Sequence, residues 1–264
     1  MLTSMNEADV AISADINLAS TWGSLGRAMG GAVMEASSLT CVSTGVPIAF
    51  FNGAFLHSPT LVAEEVVAEA VEFFAGQAVP WLLWVRDSVS PATLEAGRAA
   101  GLRDAGGPPA MGLFPITDSS PPPEDLTVEI ATSTSAVKDH ASVLRDGFGM
   151  PQAIVDRLIS PRLLDDPSLA VFVGRVAGQP VSCSLLSVTG ETAGVYNVAT
   201  PPPFRGKRYG EAMTSAAIDE GARRGCTSAI LQASEAGYPL YRRMGFVDLG
   251  RYVQLEGPPS PTGG

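Results

Sequence analysis

The sequence predicts an α+β fold built on a mixed sheet, and three observations predict it. Stretches rich in β-branched and aromatic residues alternate with helically spaced apolar residues in the second half, as where "GVYNVAT" (194–200) precedes Tyr209–Arg224. The run "TDSSPPPED" (117–125) carries no apolar periodicity and divides the chain into two apolar-rich halves. With 45% apolar and 17% charged residues over 264 positions, the composition suits two packed domains rather than a disordered chain.

The elements follow in order. "SPTLVAEEVVAEAVEFFAG" (58–76) reads as a long helix, with Ser58 as its cap and Pro59 in its first turn. "WLLWV" (81–85) reads as the strand after it. In the second half, "TVEIATS" reads as a strand, Val137–Phe148 as a helix, and "PQAIVDRLISPRLL" (151–164) as a second helix opening on proline. "LAVFVGRVAGQPVSCSLLSV" reads as a hairpin turning near Ala177–Gln179. "TSAILQAS" is a further strand, "GYPLYRRMG" a short helix, and "FVDLGRYVQL" closes the sheet. The resulting organisation is a smaller domain at 1–116, a linker at 117–125, a main domain at 126–257 and a flexible tail at 258–264.

Composition excludes several classes. A net charge of −10 and a pI near 4.7 argue against a nucleic-acid partner. Cys41, Cys183 and Cys226 show no CxxC spacing and His57 and His140 are the sole histidines, so no disulfide framework and no metal site are expected. No run approaches the ~18 apolar residues of a membrane span, and the acidic start "MLTSMNEADV" lacks the basic region of a signal peptide. The expected compartment is the cytoplasm, with no membrane partner.

The stretch with the most chemistry is "FRGKRYGEAM" (204–213). A helix that begins directly after a strand directs unpaired backbone N–H groups and the positive end of its dipole outward, a ready site for a pyrophosphate. Glycines there allow close backbone approach, and Arg205 and Lys207 add positive charge. "YNVATPPPFRGKRYGEAM", followed downstream by "ASEAGYPLYRRMGFVDLG", resembles the GNAT superfamily of N-acetyltransferases. That family's signature is a strand, then Arg/Gln-x-x-Gly-x-Gly/Ala opening a long helix, then a strand, a short helix and a Leu-Tyr-x-x-x-Gly-Phe segment. The resemblance covers roughly Leu126–Leu255 and implies the GNAT fold, with acetyl-CoA as co-substrate, no metal, and a small-molecule or protein amine as acceptor.

Carried over position by position, the resemblance places Val198, Ala199 and Thr200 beside the pantetheine arm and thioester at the splayed end of the central strand. It wraps the pyrophosphate with Arg205, Gly206, Lys207, Arg208, Tyr209, Gly210 and Glu211, and makes Tyr241 the acid that protonates the departing thiolate. Two positions depart from the pattern: Arg208 replaces the first glycine of the loop, and Ser234 stands where many members have a cofactor-contacting asparagine. No general base is assigned; Glu191 and Glu235 are the nearest carboxylates, and each reads as a solvated loop residue. A homodimer is a family-level expectation.

The first half echoes the second. "AGRAAGLRDAG" (96–106) lies over "LYRRMGFVDLG" (240–250), and "WLLWV" precedes the former as "AILQA" precedes the latter. The resemblance therefore extends to a tandem arrangement with a degenerate GNAT-like first half, in which Gly97 matches Tyr241 and no Arg-x-x-Gly-x-Gly precedes the long helix. Most of Trp22, Phe50, Phe51, Phe55, Trp81 and Trp84 read as core. Two further readings stay open at this point, a catalytically silent CoA-binding or ligand-sensing module and an interaction scaffold that binds no CoA.

Overall fold

The computed structural model describes residues 6–58, 62–117 and 119–257. The first half runs α1 (Glu7–Ala28), β1 (Ala32–Glu35), β2 (Leu39–Ser43), β3 (Asn52–Leu56), α2 (Ala63–Ala75), β4 (Leu82–Arg86), α3 (Pro91–Ala99), β5 (Arg103–Asp104) and β6 (Pro109–Leu113). The second runs β7 (Thr127–Ile130), α4 (Thr134–Phe148), α5 (Gln152–Leu158), β8 (Leu169–Val176), β9 (Gln179–Thr189), β10 (Thr192–Ala199), α6 (Tyr209–Arg223), β11 (Ser228–Gln232), α7 (Tyr238–Arg243) and β12 (Val247–Glu256). The chain forms two compact units. One is made by Gly112–Leu231 with Gly237–Val247, the other by Glu7–Met111 with Gln232–Ala236 and the chain from Asp248.

In the first of these units, β7, β8, β9 and β10 pair antiparallel in that order and β11 joins β10 in parallel. The β8–β9 turn falls at Ala177 and Gly178, both at positive φ, where the hairpin was expected. α4 is capped at both ends: Ser133 Oγ accepts the Ala136 N–H at 3.2 Å, and Gly149 ends the helix in the left-handed conformation. The expected helix over 151–164 is two pieces, α5 and a separate 3₁₀ turn at Pro161–Asp165, because Pro161 cannot continue the hydrogen-bond ladder. On α4, His140 is fully buried and its Nδ1 lies 3.0 Å from the Phe172 carbonyl, which can only accept, so Nδ1 carries the proton. Burial pulls this imidazole down to a pKa of about 4.

In the other unit the order is β1–β2–β3–β4–β12, with β5 on β12. Alternation along the strands sends Leu39, Ala54, Leu56, Leu83 and Val85 into a core with Val66, Phe74 and Trp81, where the Phe74 and Trp81 rings stack at 4.5 Å. α2 begins at Ala63 rather than Ser58: Val62 is the residue before it, and no side chain caps it. Pro59, expected in its first turn, lies outside the described residues.

"FVDLGRYVQL" is a strand, as expected, but it does not close the second half's sheet. It pairs antiparallel with β4, Tyr252 opposite Arg86 and Leu255 opposite Leu83. Side chains of this unit hold it there. Asp15 of α1 accepts hydrogen bonds from the Tyr252 hydroxyl at 2.9 Å and from Arg86 Nη2 at 2.9 Å, and Arg86 Nη1 donates to the Leu249 carbonyl. Asp15, Arg86 and Tyr252 are all buried. Removing one partner from a buried ion pair of this kind costs about 3–5 kcal/mol. Gly97 of α3 belongs to the same arrangement, since a Cβ there would lie 2.6 Å from Leu255 Cδ1.

Candidate active site

The pairing of β10 with β11 covers Thr192–Gly194 opposite Ser228–Ile230 and stops. β10 runs on from Val195 to Ala199 without β11, and its register with β9 shifts between Tyr196 and Ala199, where Asn197 takes a positive φ of 53°. The two parallel strands therefore part, and the free end of β10 carries Val198 and Ala199 into Thr200. Ser182 of β9 fixes that end: its hydroxyl lies 2.9 Å from the Ala199 carbonyl and 2.8 Å from Thr200 Oγ1.

The chain then turns through Pro202–Phe204 into α6. Gly206 and Arg208 both take positive φ, 78° and 62°. Position 208 thus has the torsion that favours glycine, and an arginine adopts it against its own preference. The Arg208 guanidinium pairs with Glu211 one turn on, Nη2 to Oε1 at 2.6 Å, and this holds the Glu211 carboxyl below its ordinary range. No side chain caps α6, so the N–H groups of its first turn keep their donor capacity. Arg205 turns its side chain to backbone carbonyls, Nε to Thr200 O at 2.9 Å and Nη2 to Gly147 O at 2.8 Å. Lys207 Nζ lies 5.9 Å from the centre of the Tyr209 ring.

Gly210 is where the parts converge. A Cβ there would sit 3.7 Å from Thr200 Oγ1, 3.9 Å from Leu240 Cδ2 and 4.0 Å from Val198 Cγ1. The first turn of α6 thus faces both the free end of β10 and α7, across a gap that a single methyl would begin to fill. From α7, Tyr241 comes beside Thr214 of the same helix, whose hydroxyl donates to the Gly210 carbonyl at 2.9 Å. Burial pushes the Tyr241 pKa up to about 12, against a smaller opposing pull from Thr214. The phenol is therefore fully protonated at neutral pH, and its ring stands edge-on to Phe246 at 5.8 Å.

A parted parallel pair, an uncapped helix start with two left-handed residues before it, and a buried tyrosine on the following short helix make up this site. Residues 141–246 match the model of the family described as "Acetyltransferase (GNAT) family". This stretch is a GNAT acetyltransferase domain. Solved structures agree on the fold. A GCN5-related N-acetyltransferase from Kribbella flavida is 18% identical, with 95% of this chain and 96% of that chain covered and a TM-score of 0.71. A GCN5-related N-acetyltransferase from Sphaerobacter thermophilus is 17% identical over 83% of this chain and 76% of that one, with a TM-score of 0.60. A tandem GNAT protein from the clavulanic acid biosynthesis pathway is 12% identical over 88% and 83%, with a TM-score of 0.59. No curated protein matches the sequence.

The GNAT domain brings together Val198, Thr200, Gly210 and Tyr241 as read from the sequence, and adds Ser182 and Thr214, which were not. Thr214 was within reach, since it lies one helical turn beyond Gly210 and so on the same face. Tyr209 is 1% exposed and packs inward. Ser234 lies in Gln232–Ala236, which groups with the other unit. Glu191 sits in the β9–β10 turn, at the opposite end of β10 from Thr200. Among the described residues no cluster of His, Cys, Asp or Glu is arranged to hold a metal ion, and no helix is long and apolar enough to cross a membrane.

Proposed function

We propose that the GNAT domain transfers the acetyl group of acetyl-CoA to a primary amine of a small molecule or protein, by direct attack of the neutral amine on the thioester. The observation that carries this reading is the convergence at Gly210: an uncapped helix start, the free end of β10 and Tyr241 through Thr214 meet there. Gly206–Glu211 would receive the pyrophosphate on backbone N–H groups, with Lys207 adding positive charge. The end of β10 at Val198–Thr200 would take the pantetheine arm, and a backbone N–H near Val198 would hold the oxyanion as the amine adds to the acetyl carbon. Collapse of that adduct breaks the carbon–sulfur bond and the Tyr241 proton passes to the sulfur; the added nitrogen gives up its own proton to water, and water returns one to the phenolate.

The phenol is a weaker acid than a free thiol, whose reference pKa is about 8.5. Transfer to sulfur therefore requires that the departing thiolate also be desolvated, and so more basic, where it forms.

The test is titration of acetyl-CoA followed by assay of free thiol against a panel of amines, with Tyr241→Phe beside the wild type. The expected result is one-site binding, thiol release with at least one amine, and a fall of about 10²-fold in kcat for Tyr241→Phe with acetyl-CoA affinity kept within twofold. Binding without turnover for any amine, and indifference to Tyr241→Phe, would replace this reading with a silent CoA-binding module. The strained Arg208 and its pairing with Glu211 are the observation that favours that second reading.

A further inference from the structure

The segment read as a linker is joined to the phosphate loop. Its last residue, Asp125, accepts the Tyr209 hydroxyl at 2.5 Å. Tyr209 opens α6 and is buried with Leu126, Val181 and Ala212. Leu126 follows Asp125 directly, and its N–H bonds to the Pro123 carbonyl at 3.0 Å, which fixes the turn that presents the carboxylate. Upstream, the Ser119 hydroxyl donates to Asp219 on the same helix at 2.7 Å. Tyr209 to Asp219 is about 15 Å along an α-helix, and residues 119–125 span about 19 Å as an extended polyproline-like run. The run 119–125 is thus tied to α6 at both ends.

The loop just ahead of Tyr209 needs support. It holds Arg208 in the left-handed region, a torsion that in a residue other than glycine persists only where the surroundings over-determine it. Arg205 fastens its upstream side to Thr200 and Gly147, and the Tyr209–Asp125 bond fastens its downstream side. We propose that Asp125 is a positioning residue of the acetyl-CoA site: by holding the Tyr209 hydroxyl, it keeps Gly206–Glu211 in the shape in which the backbone receives a pyrophosphate. This rests on the acetyl-CoA reading above. It also makes an unusual demand, because Asp125 brings a negative charge toward an anion site. As a bare charge it repels the ligand, and its removal tightens binding; as an anchor, its removal loosens binding.

The opposed signs make the experiment. Acetyl-CoA is titrated calorimetrically into the full-length wild type, Asp125→Ala, Asp125→Asn, Tyr209→Phe and the Asp125→Ala/Tyr209→Phe pair, each below its melting temperature. The expected result is a Kd raised about tenfold in Asp125→Ala and equally in Tyr209→Phe, with the pair no worse than either. Asp125→Asn keeps an acceptor without the charge, and it should bind as well as the wild type or better. Equal or tighter binding by Asp125→Ala, or equal Kd values for the Ala and Asn variants, overturns the proposal. Should Asp125→Ala fail to fold, Tyr209→Phe decides alone, and wild-type affinity there overturns it. Failure of the wild type to bind acetyl-CoA is a different outcome, which removes the acetyl-CoA reading and this inference with it.

Discussion

The turn from β10 into α6 and the turn from β3 toward α2 share one plan and reach different ends. Each follows an antiparallel hairpin, β9–β10 or β2–β3, and each leads through a helix to a parallel strand, β11 or β4. β10 leaves its parallel partner at Gly194, well short of its end, whereas β3 stays paired with β4 through Phe55 opposite Trp84, next to its last residue. The Phe55 and Trp84 rings meet there at 5.7 Å, and Trp22 stacks on Phe55 at 5.4 Å. α2 opens with Glu64 and Glu65, carboxylates that satisfy its own dipole and oppose an anionic ligand; α6 has a single first-turn carboxylate, Glu211, and it is paired with Arg208. A helix start can serve its own fold or a ligand, and the first-turn side chains decide which. We accordingly expect one acetyl-CoA per chain, held by the GNAT domain.

Gly210 and Gly97 should break the comparison in opposite directions. Gly210→Ala places a methyl at ordinary contact distance from its neighbours, so the melting temperature should hold while calorimetry shows acetyl-CoA affinity falling about tenfold or more. An unchanged Kd would mean that the first turn of α6 is not where the ligand lies. Gly97→Ala instead meets Leu255 at 2.6 Å, and should lose about 1–3 kcal/mol in denaturant unfolding without altering the single acetyl-CoA site.

The two histidines sharpen the contrast further. His57 is half-buried, and carboxylates at Asp15 and Glu35 oppose the lowering of its pKa, whereas His140 is fully buried and lowered to about 4. With an unfolded value near 6.5, the unfolded chain takes the proton first, so His140 withdraws stability as pH falls from about 6.5 and has withdrawn it all below about 4. The loss amounts to at most about 3 kcal/mol. His140→Phe should flatten that part of the acid limb relative to wild type in urea melts at pH 4.5 and 7; parallel limbs would show that the buried imidazole is not the group responsible. The smallest effect belongs to Arg208→Gly, which relieves the left-handed torsion. Its melting temperature should be unchanged or up to about 3 °C higher, with acetyl-CoA binding no weaker. A clear loss of affinity would instead make the arginine a ligand contact.

The start of α6 and the short helix that carries Tyr241 were legible because helix starts and short-range spacing are local properties, written within a few residues of the chain. The break of "PQAIVDRLISPRLL" at Pro161 was legible too, though the reading passed over it. What could not be read was partnership over long separations. "FVDLGRYVQL" announces a strand by alternation, but nothing within it says that Tyr252 will meet Asp15, which is 237 residues away. Gly97 aligned with Tyr241 and looked like a lost catalytic residue; in the fold its missing side chain makes room for Leu255. Asp125 sat in a proline-rich run whose composition says linker, and its tie to Tyr209 spans 84 residues.

The place of β12 has a consequence for how the molecule is made. The sheet that contains β4 is complete only when β12, which lies far downstream in the sequence, has been synthesised. At ribosomal rates the roughly 150 residues between β6 and the end of β12 take ~10–30 s, through which Arg86 waits for the Leu249 carbonyl and Asp15 for the Tyr252 hydroxyl. The edge of β4 therefore stays open through that interval, and the part of the sheet translated earlier is finished by a strand translated much later.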